Sequence, residues 1–265
     1  MAEPFLHIRH LSASFRGRLG DLNALDNVSF AVGHGEFVCV IGPSGCGKST
    51  LLRIVAGLLA PSRGEILLDG QTQRAPQKRV GLVFQQPTLL PWRTVQDNIA
   101  LPLEMMGLPS ATIQARTADL LALVGLVGFE QEYPIHLSGG MAQRTALARA
   151  LAQNPEVLLL DEPFGALDAL TRERMAAELL RIWERDKRTV LMVTHSVEEA
   201  TLLADRVVVL SARPGHVVEI VDVTLPRPRS SSLLTTPELQ HIAGHLREAL
   251  SSGNGNPACP IPFSR

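Results

Sequence analysis

Cysteine is scarce in this sequence. Its three cysteines, Cys39, Cys46 and Cys259, are odd in number and lack the paired spacing of a metal site or a disulfide framework. Cys39 falls in a strand-like run and Cys46 inside a glycine loop, the pattern of a reduced cytosolic chain. Charge of one sign is missing as well. Lys and Arg number 25 against 26 Asp and Glu, for a net charge of −1. That balance supplies no global positive field of the kind a nucleic-acid binder uses, so partners must be recognised locally. No apolar run approaches the roughly 18 residues a membrane span needs. The longest candidates, such as VLLL at 157–160, are strand-sized and bounded by acids. The opening MAEPFLHIRH has no basic segment followed by an apolar one, so no signal peptide is expected. Solenoid-type repeats are absent. What is present, 45% hydrophobic and 19% charged residues over 265 positions, suits one large α/β domain or a core with an insert.

Phe5–Arg9 and Val28–Val32 alternate apolar and polar residues as half-buried strands do. Between them RGRLGDLN (16–23) has turn chemistry and reads as an exposed loop. EFVCVI (36–41) is a continuous apolar run, hence a buried strand, and feeds directly into GPSGCGKST. A helix follows over 49–59 and stops at the Pro61–Gly64 turn, with strands expected at Glu65–Leu68 and Val80–Phe84. Helical periodicity then takes over in TVQDNIALPLEMM and ATIQARTADLLALVGL, predicting a helical subdomain inserted at about 94–150. Buried strands at Val157–Leu160, Thr189–Val193 and Arg206–Leu210 alternate with a long helix from Asp168 and a short one. Such alternation argues for a mostly parallel sheet. Residues 1–250 read as one domain and the Gly/Pro/Ser-rich stretch 251–265 as a loose tail.

GPSGCGKST fits the G-x-x-x-x-G-K-[ST] pattern from Gly42 to Ser49, with a strand before it and a helix after it. Across Gly42, Pro43, Ser44, Gly45, Cys46 and Gly47 the glycines let backbone N–H groups curl around phosphate oxygens. The helix start that carries Thr50 adds its partial positive charge. Lys48 is suited to the β- and γ-phosphates and Ser49 to Mg²⁺. VLLLDEP (157–163) delivers two acids to the C-terminal end of a buried strand, where α/β sheets bind ligands. Asp161 suits the metal, and Glu162 suits general base or water-orienting work. A third stretch, HLSGGMAQRTALARAL (136–151), sets Ser138, Gly139 and Gly140 before a run of strong helix formers. It reads either as a second anion cradle or as an ordinary serine-capped helix with glycines for tight packing.

With LSGGM, close to the signature usually written LSGGQ, the chain resembles the ATP-binding-cassette ATPases over roughly residues 5–230. The resemblance implies a P-loop NTPase core with a mostly parallel sheet, an N-terminal antiparallel β subdomain and an inserted helical subdomain. It also implies ATP and Mg²⁺, and a second copy whose signature closes over nucleotide held by the first copy's P-loop. Gln85 then resembles the Q-loop glutamine that contacts Mg²⁺ or water. Phe15 stands about where the family stacks an aromatic on adenine, although a core phenylalanine on an edge strand fits equally. Asp168, in FGALD (164–168), resembles the D-loop acid and is also a natural helix cap. His195 resembles the switch histidine at the γ-phosphate, and the adjacent SVEE (196–199) reads as a capping box. Three positions depart from the family pattern: Met141 for glutamine, Gln86 for an acid and Ser196 for the usual aspartate. None removes a group that performs chemistry.

LLPWRTVQDNIALPLEMMGL (89–108), YPIHLSGGMAQR (133–144) and LSARPGHVVEIVDVTLPRPR (210–229) are together similar to importers of the nitrate/sulfonate/taurine type. That narrower resemblance implies two transmembrane permease subunits, a solute-binding protein and a peripheral position on the cytoplasmic face of the inner membrane. Trp92 would lie at the permease docking surface, or else in the core. No long extension follows residue 250, so an appended regulatory domain is not expected. The rival readings are an exporter cassette, a non-transport ATPase of DNA repair or translation, and a small-molecule kinase. The second usually carries coiled-coil arms or two cassettes, and the third gives no reason for LSGGM and His195.

Overall fold

The computed structural model describes residues 4–17, 20–165 and 167–253; Cys259 and positions 254–265 lie outside them. Two sheets organise the chain. The first takes β1 (Leu6–Gly17), β2 (Gly20–Val32), β4 (Arg63–Leu68) and β5 (Gln71–Thr72) in the antiparallel order β2-β1-β4-β5. The second takes β3 (Phe37–Ile41), β6 (Val80–Val83), β7 (Val157–Asp161), β8 (Thr189–Thr194), β9 (Arg206–Leu210) and β10 (Val217–Asp222). Its order is β10-β9-β3-β8-β7-β6, parallel throughout except for the antiparallel edge β10.

Strand β3 is buried at all five positions, and its period of two splits them between two cores. Phe37, Cys39 and Ile41 join the core that takes in α4 (Gly139–Leu151), α5 (Ala169–Asp186), α6 (Val197–Leu203) and α7 (Pro237–Gly253). Val38 and Val40 face the antiparallel sheet and α1 (Lys48–Val55). Helices α2 (Val95–Met105), α3 (Ser110–Leu123) and α4 all fall between β6 and β7. Helix α2 starts where the Thr94 hydroxyl accepts from Asp97 N, and it tolerates Pro102 in its interior. Among the described residues no helix is long and apolar enough to cross a membrane.

Three expectations change. The described part of 16–23 is not free loop: β1 runs to Gly17 and β2 starts at Gly20, antiparallel, with Phe15 opposite Leu22 and Arg16 opposite Asp21. Arg16 and residues 20–23 are exposed, so burial patterning gave no strand signal there. The supposed loose tail begins too early, because Ser251–Gly253 close α7. The SVEE capping box is also incomplete. Ser196 accepts from Glu199 N, but the Glu199 carboxylate accepts from the Thr194 hydroxyl at 2.6 Å, and Ser196 N donates to Thr194 Oγ1 instead.

Candidate functional site

Parallel strands send every β–α crossover of the second sheet to one edge, and that edge carries the site. The loop 42–47 leaves the end of β3 there. Gly45 and Gly47 adopt left-handed φ values of 78° and 105°, which side chains resist. A Cβ on Gly47 would lie 2.7 Å from Ala24 O, and one on Gly42 would lie 2.7 Å from Cys46 Sγ. Cys46 itself is buried, and burial pushes its thiol pKa up, so it packs the loop from behind. Lys48 is 5% exposed, and its ammonium donates to Gly42 O at 2.8 Å and Pro43 O at 3.1 Å, bracing the loop.

A cavity of about 390 Å³ opens over this loop. Ser44, Gly45, Gly47, Lys48, Ser49 and Thr50 line it, with Gln85 and Glu162 on one side and Phe15, Leu22, Ala24 and Arg213 completing the wall. Asp161 joins through Ser49, whose hydroxyl donates to Asp161 Oδ1 at 2.8 Å. Burial raises the Asp161 carboxyl above its ordinary pKa, an effect the Ser49 hydrogen bond opposes. Glu162 follows β7 with φ of 43°, a left-handed conformation that a non-glycine residue holds only when its surroundings fix it. Three groups converge on it: Lys48 Nζ at 4.0 Å, Gln85 Nε2 at 3.5 Å and His195 Nδ1 at 3.0 Å.

The glycine cradle a Cβ would fill, the buried lysine and the Ser49–Asp161 oxygen pair fit a nucleoside triphosphate with a hard divalent cation. Phe15 is 39% exposed and faces this cavity, which removes the core alternative for it. Trp92 is 71% exposed and therefore is not core either.

Ser138, Gly139, Gly140 and Asp168 are not part of this lining. They lie where the start of α4 approaches the start of α5. The Ser138 hydroxyl caps α4, and Asp168 caps α5 by accepting from Thr171 N at 3.0 Å, a bond that lowers the carboxyl pKa. A Cβ on Gly140 would lie 2.9 Å from Thr171 Cγ2, and one on Gly139 would lie 3.5 Å from Leu167 Cδ2. Sequence reasoning missed the link between α4 and the segment around Gln85. Arg149 donates to Pro87 O at 2.9 Å and Thr88 O at 3.0 Å, and Gln143 donates to Phe84 O at 3.5 Å. An arginine in the alanine-rich run ALARAL (146–151) was the available signal. Burial lowers the Arg149 pKa, and carbonyl oxygens meet it in place of a carboxylate.

These features define a P-loop nucleotide-binding domain. The family model described as ABC transporter matches residues 25–165. An "uncharacterized ABC transporter ATP-binding protein" of Methanocaldococcus jannaschii is 52% identical over 224 residues, 84% of each chain. The aliphatic sulfonates import ATP-binding protein SsuB of Bacillus cereus is 46% identical over 233 residues, 88% of this chain and 92% of that one. A solved ATP-binding cassette, dimeric in a post-hydrolysis state with ADP and Pi, superposes with TM-score 0.75 at 32% identity, covering 83% of this chain and all of that one. The chain belongs to the ATP-binding-cassette (ABC) family of transporter ATP-binding proteins.

Proposed function

We propose that this chain is the ATP-hydrolysing subunit of an ABC importer, working as a head-to-tail pair beneath two permease subunits fed by a solute-binding protein. The solute is a small anion of the nitrate/sulfonate/taurine type, and the subunit works at the cytoplasmic face of the membrane. No nucleic acid takes part. The observation that carries the paired reading is the separation of the two cradles: Gly139 and Ser138 are exposed and lie outside the lining of the cavity over Lys48. A half-site turned to solvent suits a second copy. The dimeric ADP-and-Pi-bound cassette supports the same arrangement, and the SsuB relative supports the solute class.

In this reading Lys48 holds the β- and γ-phosphates, while Ser49, Asp161 and Gln85 are the oxygen donors for Mg²⁺. When bound, the metal supplies charge neutralisation at the phosphates. Glu162 accepts the proton of the attacking water, and its carboxylate is held for that by Gln85 and His195. His195 then contacts the γ-phosphate, and Phe15 stacks on adenine. Ser138 and the first-turn N–H groups of the second copy complete the phosphate shell.

The test is to purify the subunit with its membrane partner and binding protein, then identify the retained solute by mass spectrometry. ATP hydrolysis should rise when solute-loaded binding protein is added to the reconstituted complex. A retained cation or sugar would overturn the anion assignment, and failure to recover any membrane subunit would overturn the importer reading.

A further inference from the structure

We propose that Arg213 is a nucleotide-contacting residue that grips the nucleoside end of ATP beside Phe15; the assignment rests on the cavity over Lys48 being the ATP site. Arg213 follows β9, which lies beside β3 in parallel with Ile41 opposite Val209. The chain after each strand therefore emerges at the same edge, and Arg213 lines the same cavity as Lys48. It comes in from the side away from the hydrolytic groups. In the order β9-β3-β8-β7-β6, Glu162 and Gln85 follow β7 and β6, whereas Arg213 follows β9 on the other flank of β3. Two residues on, Gly215 bonds to Ala24, whose strand carries Leu22 opposite Phe15, and all three belong to the cavity's apolar wall.

The turn that carries Arg213 is fixed rather than free. Gly215 N donates to Ala24 O at 3.0 Å, and Asp26 N donates to Gly215 O at 2.9 Å, tying the turn to β2. A Cβ on Gly215 would overlap the carbonyl oxygen of Cys46, so only glycine lets the turn press against the phosphate loop. The Ser211 hydroxyl donates to Ala212 O at 2.8 Å, with Pro214 O at 3.2 Å, and Ser211 N donates to His216 O at 3.0 Å. On this rigid base Arg213 is exposed, and among the described residues its guanidinium has no hydrogen-bond or ion-pair partner. Its neighbours in sequence differ. Arg206, Arg227 and Arg229 are engaged by Glu36, by Asp205 and by backbone carbonyls respectively. A planar cation with free donors beside an aromatic wall suits a flat base and its ribose, by stacking and by hydrogen bonds to ring and sugar acceptors.

The test measures binding of two probes, ATP and inorganic tripolyphosphate, to the purified full chain by calorimetry. Arg213→Ala should raise the Kd for ATP about 5- to 10-fold, as loss of a charge-assisted contact does, and leave tripolyphosphate within about twofold. Arg213→Lys, which keeps charge but not the planar fork, should recover less than half of that loss. Unchanged ATP affinity in Arg213→Ala would overturn the assignment. So would a parallel loss of both probes, which would put Arg213 on the phosphates. Lys48→Ala should lose both probes; if it kept ATP, the reading of the cavity itself would fall, and the Arg213 assignment with it.

Discussion

At the start of α1 the N-cap is Gly47, with φ of 105° and no side chain bonded to the helix end. At the start of α4 the N-cap is Ser138, extended, with its hydroxyl accepting from Met141 N at 3.3 Å. The first helix therefore leaves its terminal N–H groups to an outside anion, whereas the second satisfies one of them itself. Glycines serve different ends in the two places. Gly45 and Gly47 hold left-handed backbone in the phosphate loop, while Gly140 lies within a regular helix and makes room for Thr171. A buried lysine braces the first, whereas the second starts its helix with Gly139, Gly140, Met141 and Ala142, none of them charged. One cradle lines a cavity of its own; the other lies outside that cavity with Ser138 and Gly139 exposed.

The largest effect that could break this contrast comes from Ser138→Arg. A bulky cation on the open cradle should cut ATP hydrolysis by the assembled complex roughly a hundredfold or more, the scale of losing an oxyanion donor. The Kd of the isolated subunit for ATP should stay within about twofold of wild type. If calorimetry showed the ATP pocket of the isolated subunit emptied as well, both cradles would serve one site within a single chain.

The closed cradle was far more legible in the sequence than the open one. GPSGCGKST names its own backbone conformation, because Gly45 and Gly47 must be glycine where they stand, and the EFVCVI run fixes the strand that delivers it. Asp161 was equally plain, since a buried strand ending in acids has few other uses. For Ser138 and Gly140 the residues supported two readings, and the structure shows the capped, packed helix, with Ser138 and Gly139 exposed and Gly140 buried. The pairing of Arg16 with Asp21 and Phe15 with Leu22 escaped because these exposed strand ends carry no alternation, and with it went Leu22 in the cavity wall. Arg149 and Arg213 escaped for another reason. Their meaning comes from carbonyls and walls many residues away, Thr88 in one case and Ala24 in the other, and no local spacing encodes that.

A smaller effect sharpens the closed side. Asp161 is buried, and burial raises its folded pKa above the unfolded value. The native state is therefore favoured when this carboxyl is protonated, and that contribution is lost as pH rises through the folded pKa. Asp161→Asn removes the penalty while keeping an acceptor for Ser49. The ligand-free variant should melt about 2 °C higher than wild type at neutral pH, with the difference closing as pH falls toward about 3.9. The stabilisation that wild type gains from ATP with Mg²⁺ should shrink in the same thermal scans. A lower melting temperature without ligand would mean that Asp161 supports the fold more than burial charges against it.

The smallest effect separates packing from chemistry on the open side. Gly140→Ala places a methyl 2.9 Å from Thr171 Cγ2, and Thr171 is β-branched and pinned in the first turn of α5 by the Asp168 cap. Overpacking of this kind costs about 1–3 kcal/mol, while replacing a helical glycine by alanine returns up to about 1 kcal/mol. The single variant should thus lose about 1 kcal/mol in denaturant unfolding, the difference of those two terms. Thr171→Ser removes the opposing methyl. In that background Gly140→Ala should become stabilising by up to about 1 kcal/mol, because only the propensity gain remains. Turnover then decides what else the glycine does. If hydrolysis recovers together with stability, Gly140 is a packing residue and the open cradle works through Ser138 and Gly139. If stability recovers and hydrolysis does not, the added methyl obstructs whatever docks on this face, and Gly140 belongs to the half-site as well.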